Sequence, residues 1–139
     1  MGRAVALIDA ESPGGGRVVT VRGEVDVGSA PSLRDWLARA SEGGRRSVVI
    51  DMRNVTFLAI SGLYVLCDEQ LRMATHRARL TVICTDPRAL QLFSVCRLDD
   101  VLRVVSTREE VVGGPWTPAD EERAERVRAW LQRYAAESA

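Results

Sequence analysis

The run Val48-Val-Ile50 constrains the fold of this chain more than any other feature. Three successive apolar residues without polar alternation describe a strand covered on both faces, as the central strands of mostly parallel sheets are. A parallel neighbour in turn requires a crossover connection, usually a helix. Helical spacing lies on both sides of the run. Upstream, Ser29 or Ser32 caps a helix with Pro31 in its first turn; Leu33, Trp36, Leu37 and Ala40 share one face, and Gly43-Gly44 ends it. Downstream, Leu63, Leu66, Cys67, Gln70, Leu71 and Ala74 repeat at helical intervals from Ser61, and Leu80-Thr-Val-Ile-Cys84 reads as the next buried strand.

The rhythm continues to both ends. Asp86-Pro87 opens a third helix with Leu90, Phe93 and Val95 turned inward; Val101 to Val105 form a last short strand, and Thr107-Arg-Glu-Glu110 a capped turn of helix. Ala4 to Ile8 and Arg17 to Val25 are Val- and Ile-rich runs joined by the turn residues Ser12-Pro-Gly-Gly-Gly16, a hairpin that makes the first strand an antiparallel edge. The expected fold is α/β: a mixed, mostly parallel sheet of about five strands with helices packed on it. This unit is expected to span residues 1–112. Gly113-Gly-Pro115 opens a second segment, 113–139, in which Thr117 caps a final helix with Pro118 at its first position. Ala124, Val127, Trp130, Leu131 and Tyr134 form its apolar stripe, so it docks on its own domain or, as the alternative, on a partner such as a second copy.

Composition narrows the function. With 46% hydrophobic residues in 139, the chain carries enough material for one compact core. Nineteen basic and nineteen acidic residues cancel, and no stretch gathers positive charge, which argues against direct nucleic-acid binding. The first nine residues are too short and too soon charged for a secretory signal, and no apolar run reaches bilayer length, so a cytoplasmic setting away from membranes is expected. Cys67, Cys84 and Cys96 suit neither a disulfide framework nor a zinc site and are expected as buried, reduced thiols. His76, the lone histidine, sits in an Arg-rich turn and reads as solvated. There is no G-x-S-x-G elbow, and Gly14 to Gly16 lack the Lys-Ser/Thr of a P-loop; the chain reads as non-catalytic, without metal or cofactor.

One hydroxyl stands out. Ser61 follows the central strand at the start of the next helix, with Gly62 beside it, and the helix dipole there tolerates an anion. It is either an ordinary cap or a place where phosphate is added and removed. Asp26, ending the strand before the first helix, emerges at the same end of the sheet, where it can accept a hydrogen bond from Ser61 or repel a phosphate on it. Asp51 is expected to stabilise its loop by hydrogen bonding.

At these residues the chain resembles the STAS family, the sulfate transporter and anti-sigma factor antagonist domain, and within it the stand-alone bacterial anti-sigma factor antagonists. The resemblance runs from about Val18 to Val112. Gly23-Glu-Val-Asp26 with Ser29-Ala-Pro-Ser-Leu33 is similar to the family's strand-to-helix signature. Val48-Val-Ile-Asp51 and Val55-Thr-Phe57 leading to Ser61-Gly-Leu63 resemble its strand and phosphorylation loop, and Leu90-Gln-Leu-Phe93 with Leu98-Asp-Asp-Val-Leu102 its third helix and last strand. The resemblance implies partner switching: the unphosphorylated protein captures an anti-sigma factor that is also a serine kinase, releasing a sigma factor, and the kinase ends the capture by phosphorylating Ser61 with ATP and magnesium. A phosphatase restores it. Gly23, Glu24, Asp26, Ala59, Ile60, Gly62, Leu63 and Tyr64 are the implied partner-binding residues. The alternative within the family is an adaptor subunit of a transporter or signalling assembly, without phosphorylation. Two residues depart from the pattern: the Asp and small hydroxyl residue that commonly precede the phosphoacceptor are here Ala59 and Ile60.

Overall fold

The computed structural model of the chain describes residues 2–11 and 16–138. Its elements are β1 (Val5–Glu11), β2 (Arg17–Val25), α1 (Ala30–Ala40), β3 (Val48–Leu58), α2 (Ile60–Ala74), β4 (Leu80–Ile83), α3 (Pro87–Val95), β5 (Arg103–Val105), a 3-10 turn at Arg108–Glu110, and α4 (Pro118–Ser138). The five strands form one sheet in the order β1-β2-β3-β4-β5. β1 pairs with β2 antiparallel and every other pair is parallel, so the mixed sheet with one antiparallel edge strand is as the sequence predicts. Residues 12–15 of the expected hairpin turn lie outside the described residues.

Val48, Val49 and Ile50 are all buried, and they divide between two cores. Ile50 joins Val19, Val21 and Val82 on the face that carries α1 to α4, where Leu33, Leu37, Leu66 and Phe93 fill the space between sheet and helices. Val49 joins Val18 and Ile83 on the opposite face, closed by Val105 and Val111. That second cluster explains why the run cannot alternate: the segment after β5 folds back over the sheet and removes it from water.

Two boundaries and one packing face differ from the sequence reading. The stretch from Arg53 to Ile60, where the resemblance implies a loop leading to Ser61, is largely strand, because β2 continues to pair with β3 through Gly23↔Val55 and Val25↔Leu58. Two register irregularities along this pairing leave Arg53, Asn54, Thr56 and Phe57 exposed and Val55 and Leu58 buried, which hides the period of two. In α3 the inward residues are Ala89 and Phe93, while Leu90 and Val95 face solvent; a nine-residue helix docks by one edge only. β5 is three residues long because Val101 and Leu102 belong to the preceding turn.

The final helix docks back on its own chain, against α2. Ala124, Val127 and Trp130 are buried, and Leu131 and Tyr134 pack at the margin of the core. Thr117 and Asp120 cap each other reciprocally: the Thr117 N–H donates to Asp120 Oδ2 at 2.8 Å and the Asp120 N–H to Thr117 Oγ1 at 3.3 Å. Asp120 also receives Arg79, whose Nε and Nη2 donate to its two oxygens at 2.9 and 2.7 Å. This fork is bidentate and almost dry, with the side chains 9% and 4% exposed. The guanidinium holds the Asp120 carboxyl well below the usual carboxylate range, aided by the Thr117 donors. Trp130 Nε1 donates to the Cys96 carbonyl at 2.8 Å and fixes the helix farther along.

Among the described residues no helix is long and apolar enough to cross a membrane. Cys67 and Cys84 are buried and Cys96 half-buried, all three free, with burial pushing each thiol upward. His76 is exposed, as its setting predicts.

Candidate functional site

The carboxyl ends of β2 and β3 bring the sequence candidates together. Ala59, the single residue between β3 and α2, donates its N–H to the Val25 carbonyl at 2.8 Å, which ties the start of α2 to the end of β2. Asp26 and Val27 follow directly and lead into α1. Two glycines make this end of the molecule possible. At Gly62 a Cβ would sit 2.9 Å from both Leu58 Cδ1 and Val25 Cγ1, so the helix lies closer to the strands than any larger residue allows. Gly62→Val is expected to lower stability by about 2 kcal/mol through overpacking of two buried side chains, read by denaturant unfolding. Gly23 has φ +94°, and a Cβ there would meet the carbonyls of Arg3 and Gly2 at 2.8 and 2.9 Å. Its role in the fold is to admit the N-terminal segment, which bridges to Glu24.

Ser61 is the second residue of α2 and does not cap it. The cap position is Ala59, which has no side-chain acceptor to offer. Ser61 Oγ is buried and has no hydrogen-bond partner among the described residues. A hydroxyl withdrawn from water and left unpaired carries an unfavourable desolvation term. Ser61→Ala is therefore expected to leave stability unchanged or raise it by about 1 kcal/mol, measured as the thermal or denaturant midpoint. An ordinary cap would respond in the opposite direction.

Asp26 does not reach Ser61. Its Oδ1 accepts from the Ser29 N–H at 3.0 Å while its own N–H donates to Ser29 Oγ at 2.8 Å, a reciprocal turn that launches α1. The expected hydrogen bond from the Ser61 hydroxyl is thus replaced by a bond to a residue three positions along the chain, because the local turn satisfies the carboxylate first. Asp51, buried in β3, accepts from Arg53 through both oxygens at 3.0 and 2.7 Å; these bonds hold its carboxyl below the usual range despite the opposing cost of burial. It is a structural hydrogen bonder, as expected.

Around Ser61 the surface is apolar with a cationic margin. Ser61, Tyr64 and Val65 floor a depression walled on one side by Val27, Pro31 and Arg34 of the α1 approach and on the other by Tyr134 of α4. Val27 is 77% exposed and Ile60 45%. Beyond Ile60 a second groove runs between the end of α3 and α4, carrying Val95, Arg97, Trp130 and Arg133, with Tyr134 on its rim as well. Tyr134 lies on Tyr64 with ring centroids 4.9 Å apart, and on Trp130 at 5.3 Å. Arg34 pairs with Asp68 and, at 3.4 Å, with Glu69. Glu69 is 2% exposed and also within 3.3 Å of Arg72; burial raises its carboxyl above the ordinary value against the pull of both arginines. This ion cluster clamps α1 to α2 below the Ser61 face.

Leu63, counted from sequence among the contact residues, is fully buried and belongs to the core. Conversely, Val27, Arg34, Arg97, Arg133 and Tyr134 border the site although no motif in the sequence marks them for it. Tyr134 has a visible signal, its place on the apolar stripe of the last helix, but nothing local indicates that this stripe ends over α2. Among the described residues no group of three or more His, Cys, Asp or Glu is arranged to hold a metal ion.

These features define a small α/β sandwich in which the helix after the central strand starts at the open end of a parallel sheet and carries a serine in its first turn. A model of the STAS domain matches residues 8–111, and the chain belongs to that family. An anti-sigma-B factor antagonist of Staphylococcus aureus is 26% identical over 86 residues, which cover 62% of this chain and 80% of that protein. Among solved structures, an anti-sigma factor antagonist from Mycobacterium paratuberculosis superimposes with a TM-score of 0.68 at 23% identity, covering 78% of this chain and 91% of the other. The Bacillus cell fate determinant SpoIIAA in its phosphorylated form superimposes with a TM-score of 0.53 at 15% identity, over 76% and 95% of the two chains. α4 lies beyond the part of the chain that the family model matches.

Proposed function

We propose that this chain is a cytoplasmic anti-sigma factor antagonist that works by partner switching. In its unphosphorylated form it binds an anti-sigma factor with serine kinase activity and so releases a sigma factor. The observation that carries this reading is the position of Ser61 in the first turn of α2, on a face where Val27 and Ile60 are exposed apolar side chains and, among the described residues, no side chain is bonded to the hydroxyl. Exposed apolar groups beside a chemically unengaged hydroxyl suit recognition better than catalysis. The relatives named as anti-sigma factor antagonists support the same role, and the phosphorylated relative supports phosphate as the signal.

In the switching step the γ-phosphoryl group of ATP passes to Ser61 Oγ, the hydroxyl proton is released, and ADP leaves. The product carries about −1.5 to −2 charges at pH 7. A helix N-terminus tolerates that charge, while a partner covering the face must desolvate it. The contact residues are Gly23, Glu24, Asp26, Ala59, Ile60 and Tyr64, with Val27 added, while Gly62, buried like Leu63, shapes the face by letting α2 approach the strands. Gly23 and Glu24 contribute backbone shape more than side-chain contact, given the N-terminal segment packed on them. A phosphatase reverses the step.

Incubation with a cognate anti-sigma kinase, ATP and magnesium, followed by mass spectrometry, is expected to place one phosphate on Ser61. An unmodified Ser61, together with a Ser61→Ala strain indistinguishable from wild type in sigma-dependent transcription, would remove the switching reading. The buried hydroxyl and the Ala59-Ile60 pair favour, as second reading, a STAS adaptor that binds without phosphorylation. Recovery of a transporter subunit instead of a kinase in pull-downs would select it.

A further inference from the structure

We propose that α4 is a cover over Ser61, and that Tyr134 controls access to its hydroxyl; the regulatory meaning of this cover rests on Ser61 being the phosphoacceptor. Three observations converge on the last turns of α4. Ser61 Oγ is buried although Ser61 as a whole is part-exposed, and among the described residues no polar group holds it inward. The depression that Ser61 lines is bordered also by Tyr134, whose ring lies on Tyr64, three residues along α2 from Ser61. The same side chain borders the groove beside Ile60, which also carries Arg97 and Arg133, so Tyr134 is common to the two recesses that flank the start of α2.

The mounting of α4 fits a cover that lifts at one end. Its first half is fixed by the buried Arg79–Asp120 fork and by Ala124 and Val127 in the core, and Trp130 is held to the Cys96 carbonyl. Past Trp130 the hold weakens: Leu131 and Tyr134 are only partly buried, and Gln132 and Arg133 are exposed. Tyr134 is thus an outlying contact of a helix anchored elsewhere. Lifting it breaks its ring contacts with Tyr64 and Trp130 and leaves the buried core in place, and loss of the ring shifts the open population by roughly tenfold. Local openings of this size occur in native proteins without global unfolding. A kinase reaching Ser61 therefore meets a closed form first, and a partner that binds Tyr134 or the adjoining Arg133 outward holds the site open.

The test reads access to residue 61 without any kinase. In a Cys96→Ala background, where Cys67 and Cys84 are buried, Ser61→Cys provides one reporter thiol for reaction with an aromatic disulfide reagent. The cover predicts slow labelling, about tenfold faster labelling once Tyr134→Ala is added, and the slow rate retained in Tyr134→Phe, which keeps the ring. Circular dichroism and the melting midpoint establish that each variant is folded, and Arg128→Ala, on the exposed side of α4, serves as a control with the slow rate. Fast labelling with Tyr134 in place, or a rate that Tyr134→Ala leaves unchanged in a folded protein, overturns the proposal. With native Ser61 and a cognate kinase, Tyr134→Ala is expected to raise the initial phosphorylation rate by a similar factor. Faster labelling of the introduced thiol, with no phosphorylation of the native serine in either form, would support the cover and remove Ser61 as phosphoacceptor.

Discussion

Asp120→Ala is expected to lower the stability of the chain by about 3 kcal/mol, because it leaves the Arg79 guanidinium buried without its carboxylate. Arg79 keeps two weaker acceptors, the carbonyls of Gly114 and Pro115, which hold the loss to the lower end of the range for broken buried pairs. The substitution also removes the first-turn cap of α4, so the helix should be the first element to loosen. Hydrogen exchange is expected to rise in 118–134 before the sheet responds. The opposite outcome is expected when both partners are replaced by apolar residues of similar volume, as in Arg79→Met with Asp120→Leu, which should be close to neutral. Denaturant unfolding of the two singles and the double separates these cases; equal losses in all three would place the effect in packing, not charge.

The pair also sets an acid limit. The Asp120 carboxyl is depressed in the folded chain, so its contribution is present above the unfolded carboxylate value of about 3.9 and is lost as pH falls toward the folded value. Asp51, depressed by Arg53, acts in the same direction. Glu69 has the opposite sign: its carboxyl is raised by burial, so its contribution is present below about 4.3 and is lost as pH rises through the folded value. Wild-type stability should therefore fall steeply below about pH 4, and the slope should be shallower in Asp120→Asn. Thermal midpoints between about pH 2 and 7 check the difference.

Ser61→Asp is expected to weaken binding to the anti-sigma partner by about a hundredfold or more, with the fold retained. The carboxylate cannot occupy the apolar site of the hydroxyl without losing its hydration, so it turns outward into the depression between α1 and α4. The dipole at the start of α2 offsets only about 0.3–1 kcal/mol of that cost. A partner covering the face must then bury a charge beside Val27 and Ile60, and an uncompensated buried charge costs several kcal/mol. Titration calorimetry with the partner, compared with Ser61→Ala, gives the measurement. Equal affinities for the two variants would mean that the interface lies elsewhere on the molecule.

Much of the fold is legible because it is local. Val48-Val-Ile50, the helical spacing from Leu63 to Gln70 and the Thr117-Pro118-Ala-Asp120 cap each state their structure within one element. The second half of β3 is not legible, since its register irregularities against β2 erase the alternation from which a strand is read. The inward face of α3 is hidden for a related reason: a short helix meets the core along one edge, and the neighbouring elements select which.

The same division holds for the site. Residue order alone establishes that one serine stands at the start of the helix after the central strand, next to a glycine. The surroundings of that serine come from folding. Asp26 turns to Ser29 because a partner three residues away is reached at less entropic cost than one across the sheet. Ser61 Oγ loses its solvent exposure in a depression that Tyr134, from the far end of the chain, helps to wall. Local chemistry fixes which group is offered; long-range packing, which no spacing rule encodes, fixes whether it is within reach.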